Sequence, residues 1–532
     1  MLRRDAKTFP ILPRTNAWTH EMSEAKTNAG KELYRKLRTC SCARLWEKEV
    51  PRFDRATTAE RVQSVGLIRA VGVVFSESGT ARQKEEVRKW LRGLLQDPEE
   101  KIRRYAMTAL PKLGADPRNE AELLTLLNAT SAERELKFLG RTLDKIGGAA
   151  TLAALEEKQS GGLQQTKRKV RATVARREEP GGLRLDAPLS LSGVRMNLRC
   201  RRGLEEIVRE ELQADGKFRV LEVGSGLVTI GSSRPFTLAE VFRLRCFSTL
   251  GFPLGEVSAS NGLDEIADVM TSAQARAILT TLTDGAIRYR LEFVEEGHRR
   301  GAVRLLANKA YARCPQILND ARESLWTVAI HPTADGSLVE LMPRLRPDPR
   351  FTYRRADVPA ASHPPLAACL ARLAEPMREG IVWDPFCGSG LELIEVALLG
   401  GIRTVFASDR SADAVEVARA NFSAAKIPDV QASFTTADLR DHARIAGLSA
   451  GTVSLIVTNP PMGKRVPVPN LRALIEDLLA IATKVLRPGG RLIFPNPLSV
   501  HNRHRELSLE SRRLIDLGGF DCQLEVYRKA AR

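Results

Sequence analysis

The stretch IVWDPFCGSGLELIEVALLG, residues 381–400, constrains the fold more than any other: an apolar strand, a glycine-bearing loop, then an amphipathic helix. The same succession returns through TVFASD and SADAVEVARANF, then FTTAD, VSLIVTNPPMGKR and LRPGGRLIF. Strand and helix alternating in this way predict a parallel, doubly wound α/β (Rossmann-like) domain, placed at 346–532.

The carboxyl ends of these strands carry the polar residues. Gly388 and Gly390 let backbone approach a ligand beside a helix N-terminus with free N–H groups. Their spacing departs from the G-x-G-x-x-G dinucleotide fingerprint, which lowers an NAD reading. Asp409 ends the second strand, where an acid can hold both hydroxyls of a ribose or cap the next helix. Asp438, expected to end the third strand, is positioned to meet an adenine amino group. The fourth strand runs into Asn459, Pro460, Pro461 and Met462. There the Asn459 side-chain oxygen and the Pro460 main-chain oxygen can act as two convergent acceptors, stiffened by Pro461. Two fixed acceptors suit a planar exocyclic amine, holding its N–H bonds and aiming its lone pair at an electrophilic methyl group. The charge developing on nitrogen is met by these dipoles, so no strong base is required. The plain alternative is a Pro-Pro turn with a capping Asn.

A chain of 532 residues is too long for one hydrophobic core, so three or four domains are expected. The net charge of +18, from 82 basic and 64 acidic residues, points to a polyanionic partner, of which nucleic acid is the commonest. Residues 1–180 hold 36 basic and 24 acidic residues, so most of the surplus lies away from the α/β end. The eight cysteines are scattered without zinc-site spacing, which predicts reduced thiols, no metal and a cytoplasmic setting. No apolar run approaches the ~18 residues of a membrane span.

Upstream, 1–55 reads as an N-terminal extension and 56–157 as helical and weakly repetitive. IRAVG (68–72), LPKLG (110–114) and LDKIG (143–147) each read as a second helix closed by a glycine at positive φ. This suggests a short HEAT-like solenoid, suited to a protein partner, with an ordinary helical bundle as the alternative. Residues 158–187 read as a basic linker, because 158–177 holds seven basic residues and no acidic one. The segment 188–260 alternates strand, helix, hairpin and helix. In 261–345 a helical stretch, a strand, a helix near 315–327 and a closing strand are expected.

The assembly resembles the class I S-adenosylmethionine-dependent methyltransferases that act on exocyclic amines of nucleobases. Asp384-Pro385-Phe386-Cys387-Gly388-Ser389-Gly390 is similar to their cofactor loop, and Asn459-Pro460-Pro461 to their amine-binding turn. MNLRCRRGLEEIVREEL, FRLRC and the arginine-rich 350–374 extend the resemblance to the THUMP-containing guanine-N2 RNA methyltransferases of tRNA and rRNA. It implies a ferredoxin-like domain at 188–260, a divergent THUMP-like RNA-binding domain at 261–345, and S-adenosylmethionine held by Asp384, Pro385, Phe386, Gly388, Gly390, Asp409 and Asp438. It also implies a catalytic turn of Asn459, Pro460, Pro461 and Met462. Arg354, Arg355, Lys464 and Arg465 would hold flanking RNA phosphates. Met462 stands where such enzymes usually carry an aromatic ring, and Leu391 where they often have Thr. N6-adenine methylation of RNA or DNA, and an RNA-binding scaffold with a decayed catalytic domain, are the competing readings; methylation of protein amines is a more distant one.

Overall fold

A computed structural model describes residues 31–114, 116–157, 163–179, 181–259, 262–295, 297, 299–359, 361–374, 377–463, 467–498 and 502–531. The chain forms two compact units that change over between residues 180 and 181.

The first unit is helical. Thr57 and Thr80 close capping boxes with Glu60 and Gln83, which start the helices Thr58–Gln63 and Ala81–Leu94. Its core draws on Leu45, Phe53, Ile68, Leu91, Ile102 and Leu139. Two expected boundaries move. Leu45, Val50 and Phe53 are buried in this core, so the supposed extension 1–55 belongs to the helical unit from at least residue 31. Within the supposed linker 158–187, Gln164–Glu178 is a helix whose Val170 and Val174 join the same core, while Lys169 Nζ lies 2.5 Å from Asp144. Its apolar face, one residue in four, was hidden among the charges. The three expected closing glycines also differ. Gly114 has φ of +96°, but Gly147 has φ of −62°, and Gly72 lies inside the helix Gly66–Ser78. A Cβ on Gly72 would fall 2.8 Å from Ala109 Cβ, so its role is close helix packing.

In the second unit one eight-stranded sheet runs through both middle segments, which were expected as separate modules. Its strands are β1 (Arg195–Arg199), β2 (Arg219–Gly224), β3 (Leu227–Gly231), β4 (Thr249–Ser258), β5 (Ile287–Phe293), β6 (Ile317–Asn319), β7 (Trp326–Thr333) and β8 (Gly336–Pro343), in the order β2-β3-β1-β4-β8-β7-β5-β6. The first four, with the helices Glu205–Asp215 and Leu238–Val241, form an antiparallel β-α-β-β-α-β arrangement of the split βαβ type. The helix expected near 315–327 lies earlier, at Arg300–Arg313; 326–333 is instead a strand whose Trp, Val and Ile side chains are buried.

The α/β domain holds a seven-stranded sheet: β9 (Gly380–Asp384), β10 (Ile402–Asp409), β11 (Gln431–Thr436), β12 (Val453–Val457), β13 (Leu486–Asn496), β14 (Leu507–Asp516) and β15 (Asp521–Lys529), ordered β11-β10-β9-β12-β13-β15-β14. The first five are parallel; β15 runs antiparallel between β13 and β14. Ion pairs between buried carboxylates and half-buried arginines join this domain to the middle sheet's helices and loops. Arg245 binds Glu395 with two nitrogens at 2.7 Å each, and Glu211 accepts from Arg372 at 3.1 Å and from the Arg245 and Cys246 amides at 2.9 Å. Removing one partner of such a pair would leave a buried charge uncompensated, at about 3–5 kcal/mol.

Candidate active site

Strand order reverses between β9 and β12, and an open α/β sheet binds its ligands outside the carboxyl ends of its strands at that point. A cleft of about 710 Å³ lies there, within the size range of small-molecule sites. Pro385, Phe386, Gly388 and Ser389 line it from the loop after β9, Asp409 from β10, and Asn459 to Met462 from the turn after β12.

The loop after β9 is held from below. Asp384 is fully buried; its Oδ1 accepts from Thr458 Oγ1 at 2.5 Å and from the Phe386 amide at 3.0 Å. From the side, Asp409 Oδ2 accepts the Gly388 amide at 3.1 Å while Oδ1 accepts the Ser411 amide at 3.0 Å. Gly390 (φ +80°) starts the helix Leu391–Leu398, and a Cβ there would meet Ala418 Cβ at 3.1 Å. Only glycine combines that backbone with that packing.

The turn after β12 is held by a relay of polar groups. Asn459 Nδ2 donates to Ser362 Oγ at 2.8 Å, and the Ser362 hydroxyl donates to Glu392 Oε1. With its amide nitrogen engaged, Asn459, which lines the cleft, leaves Oδ1 buried and without a hydrogen-bond partner among the described residues, and the same is true of Ser389 Oγ. Such atoms are costly unless a ligand meets them. Glu392 and Asp384 are both buried, and burial raises both carboxyls above their ordinary range, Asp384 further through repulsion from Glu392.

The middle sheet's connection after β1 reaches the same cleft through Arg201, beside the turn Leu517–Phe520 that joins β14 to β15. His363 is exposed on the cleft wall, and its ring is pushed down to about 4, first by loss of water on the side packed against the protein and then by the charges of Arg201, Arg354 and Arg350.

Residues 352–514 match the family model of the RMKL-like methyltransferase domain, UPF0020. That stretch is a methyltransferase domain. Among solved structures, TrmN from Thermus thermophilus superposes with a TM-score of 0.50 at 22% identity, covering 63% of this chain and 99% of its own. A possible methylase from Clostridium difficile 630 (TM-score 0.49, 16% identity, 64% and 98% covered) is also similar. So is a protein described as an N6-adenine-specific DNA methylase from Listeria monocytogenes (0.48, 16%, 64% and 96%). No curated protein matches the chain.

The methyl donor of the methyltransferase domain is S-adenosylmethionine, and the cleft fits it. The wall carries the carboxylates of Asp409 and Asp438 for a ligand with hydroxyls, amines and a positive charge, Phe386 for an apolar ring, and Ser389, whose hydroxyl has no partner among the described residues. Two expected contacts change. Asp384 and Gly390 do not line the cleft of the methyltransferase domain; they fix the loop that does. Asp438 lies two residues beyond β11 and caps the turn Leu439–Arg444, and Ser411, not Asp409, caps the following helix. Of the basic residues expected to hold phosphates, Arg354 is paired with Asp357 and Arg355 is exposed, and neither lines the cleft. Lys464 and Arg465 lie outside the described residues. Ser362, Glu392, His363 and Arg201 went unread. Ser362 and Glu392 are 97 and 67 residues from Asn459 in sequence, and no motif spacing ties them to it.

Proposed function

We propose that the protein is an S-adenosylmethionine-dependent RNA methyltransferase that acts on the exocyclic N2 amine of guanosine in structured tRNA or rRNA. The observation carrying this reading is the Asn459 amide, on a residue that lines the cleft: its nitrogen is tied to Ser362, and its oxygen is buried with no hydrogen-bond partner among the described residues. An oxygen in that state is an acceptor awaiting an N–H donor, and the Pro460 carbonyl is the natural second one.

Bound S-adenosylmethionine supplies an electrophilic methyl group. The chain does the rest. Asn459 Oδ1 and the Pro460 carbonyl accept the two N–H bonds of the amine, which aims its lone pair along the line of transfer. The Ser362 and Glu392 relay keeps the amide from turning its NH2 toward the substrate. As nitrogen gains positive charge the two oxygen dipoles, already oriented, stabilise it, and a proton leaves afterwards. His363 is neutral at pH 7 but too weak a base to drive the step. A base buried in a duplex exposes no such amine, so the target is flipped out or lies in a loop. The net charge of +18 favours the polyanionic partner.

The test is transfer of labelled methyl groups to tRNA and rRNA transcripts and to duplex DNA, followed by nucleoside mass spectrometry. N2-methylguanosine is expected. N6-methyladenosine would move the function to the adenine reading, and cofactor binding without transfer would favour the scaffold. Asn459→Ala is expected to keep cofactor affinity and lose at least about tenfold in turnover, about 1.4 kcal/mol of barrier. Unchanged turnover would reject the acceptor role.

A further inference from the structure

The surplus positive charge of residues 1–180 has no role in the cleft, and it is laid out in a pattern. Three helices of the first unit pack side by side: Gly66–Ser78, Glu100–Ala109 with its continuation Leu110–Leu113, and Glu133–Ile146. Gly72 allows the first pair its close approach at Ala109, and Thr142 Oγ1 donates to Met107 O at 3.0 Å across the second. Along the last two helices, basic and aromatic residues repeat. Arg104, Tyr105 and Lys112 recur 33 residues later as Lys137, Phe138 and Lys145. Their spacing by three, four, seven and eight puts them on one helical face, and each is exposed or half-buried.

Contacts between helices show that these residues share a surface. The guanidinium groups of Arg104 and Arg141 both lie over the Phe138 ring, 5.1 and 5.6 Å from its centroid, and that of Arg69 lies 4.1 Å from the centroid of Tyr34. Lys112 is exposed, yet its ammonium is held below the ordinary range, first by partial loss of water and then by the charges of Arg69, Lys145 and Arg38. Two acids answer this charge: Glu77 lies 3.8 Å from Arg38 and Glu100 lies 3.1 Å from Arg104. Arg69, Lys112, Lys137, Arg141 and Lys145 make no ion pair among the described residues. The other side of the unit is built differently. There the helices Ala81–Leu94 and Pro117–Ala129 meet through Arg92 and Asn119 at 3.0 Å. Glu85 lies 3.1 Å from both Arg88 and Arg92 and 4.0 Å from Arg118, and Glu86 lies 3.4 Å from Arg82. Solubility alone is met by interspersed signs of that kind. Like charges gathered without counter-charges repel one another, a cost that a bound polyanion removes.

We propose that this face of the first unit binds the sugar–phosphate backbone of the RNA substrate, with Arg69, Lys112, Arg141 and Lys145 as phosphate contacts. The proposal rests on an RNA substrate, as in the reading above, and gives the helical unit a part in holding it. Adjacent helices, about 8–10 Å apart, set the cations in a row, as a linear polyanion requires. The half-buried rings of Tyr105 and Phe138 among them offer flat surfaces to which riboses and splayed bases can pack. An acidic protein segment would use the charge but not the rings. Contacts of this kind position the RNA without reading its sequence.

The experiment is a fluorescence-anisotropy titration of labelled tRNA transcript with the full chain, repeated between about 50 and 200 mM salt. Wild type is expected to bind with an affinity that falls steeply with salt. Lys112→Gln, Arg141→Gln and Lys145→Gln combined should weaken binding at least about tenfold at the lower salt. They should also flatten the plot of log affinity against log salt by about 2, a little under one for each lost phosphate contact. Arg82→Gln, Lys89→Gln and Arg118→Gln combined remove the same charge from the other side, and should leave the slope as it was and the affinity within about twofold. Melting temperatures should match wild type, since all six side chains are exposed. If the first combination melts early, the single variants Arg141→Gln and Lys145→Gln carry the test, each with a severalfold loss. No salt-dependent binding by wild type, or equal losses in the two combinations, would overturn the proposal. So would wild-type affinity in the first combination, which would leave the face to an acidic protein. RNA binding that behaves as expected in a protein that forms no N2-methylguanosine would sink the proposed reaction and leave this surface standing. Methylation by a protein whose first combination binds RNA like wild type would do the reverse.

Discussion

Two groups of residues line the cleft, and they are held by different physics. The strand-end group, Asn459 with Ser362 and Glu392 behind it, rests on buried hydrogen bonds to carboxyls that burial pushes toward the neutral form. The other group, Arg201 at the cleft with Arg202 and Gly203 behind it, rests on backbone approaching the backbone at the end of β14, with the Arg202–Asp521 pair about half exposed at its rim. The first kind of construction sets the direction of single atoms and tolerates no change of polarity. The second sets the position of a whole segment and tolerates no added volume.

The largest effect should therefore come from volume in the second group. Gly203 has φ of +91°, and a Cβ there would fall 1.9 Å from Leu514 O. Gly203→Ala has no room to relax without parting the two segments, so thermal unfolding should show a loss of several kcal/mol. Gly519→Ala is the control: its φ is +98° but nothing lies within 4 Å of the added carbon. It should cost only the backbone strain, about 1–2 kcal/mol. Similar losses in the two variants would mean that strain, not contact, sets the cost, and the contrast between the groups would fail.

The next effect tests polarity in the first group. Ser362→Ala removes the acceptor for Asn459 Nδ2 and frees the amide to rotate. Turnover should fall about tenfold while melting temperature changes little, since one buried hydrogen bond contributes about 1 kcal/mol. Turnover equal to wild type would show that the amide is oriented without the relay. Beside it, Asp409→Ala removes the carboxylate that accepts the Gly388 amide, and cofactor affinity measured by calorimetry should fall by about tenfold with turnover at saturation less affected. An unchanged affinity would remove Asp409 from the donor site.

The two groups were not equally legible in the sequence. The parallel strands, the loop after β9 and the Asn459 turn are local patterns, in which strand, turn and function lie within a dozen residues. So the parallel α/β sheet and the strand-end positions of Asp409 and Asn459 could be read directly, though not the order of the strands. The relay could not, because Glu392 looks like one more helix residue and Ser362 like a loop residue; what joins them is the packing of the helix Leu391–Leu398 against the segment before Pro364. Likewise RRG at 201–203 reads as a turn after β1, and its contact with Leu514 depends on how two sheets meet. The helix Gln164–Glu178 failed for a simpler reason: charge was counted where spacing should have been.

The smallest expected effect lies where the two groups meet. His363 follows Ser362 in sequence and feels Arg201 across the cleft, and it titrates at about 4 in place of the usual 6.5. The unfolded chain takes up a proton on this ring below pH 6.5, whereas the folded chain does not until about pH 4, so the unfolded state binds more protons in that window. The stability associated with His363 is fully present above pH 6.5, is lost as pH falls toward 4, and changes no further below it. Asp384 and Glu392, with raised pKa values, shift stability in the opposite sense over the acidic range, so wild type alone is not diagnostic. The difference between wild type and His363→Gln is. Urea unfolding at pH 7, 5.5 and 4.5 should show the wild type losing more stability than the variant across the first two steps down. An imidazole NMR titration of Arg201→Gln should show His363 moving part of the way back toward 6.5, because one of the charges holding it down is gone. If the ring titrates at the same pH with and without Arg201, the two groups are electrostatically independent and share the cleft through geometry alone.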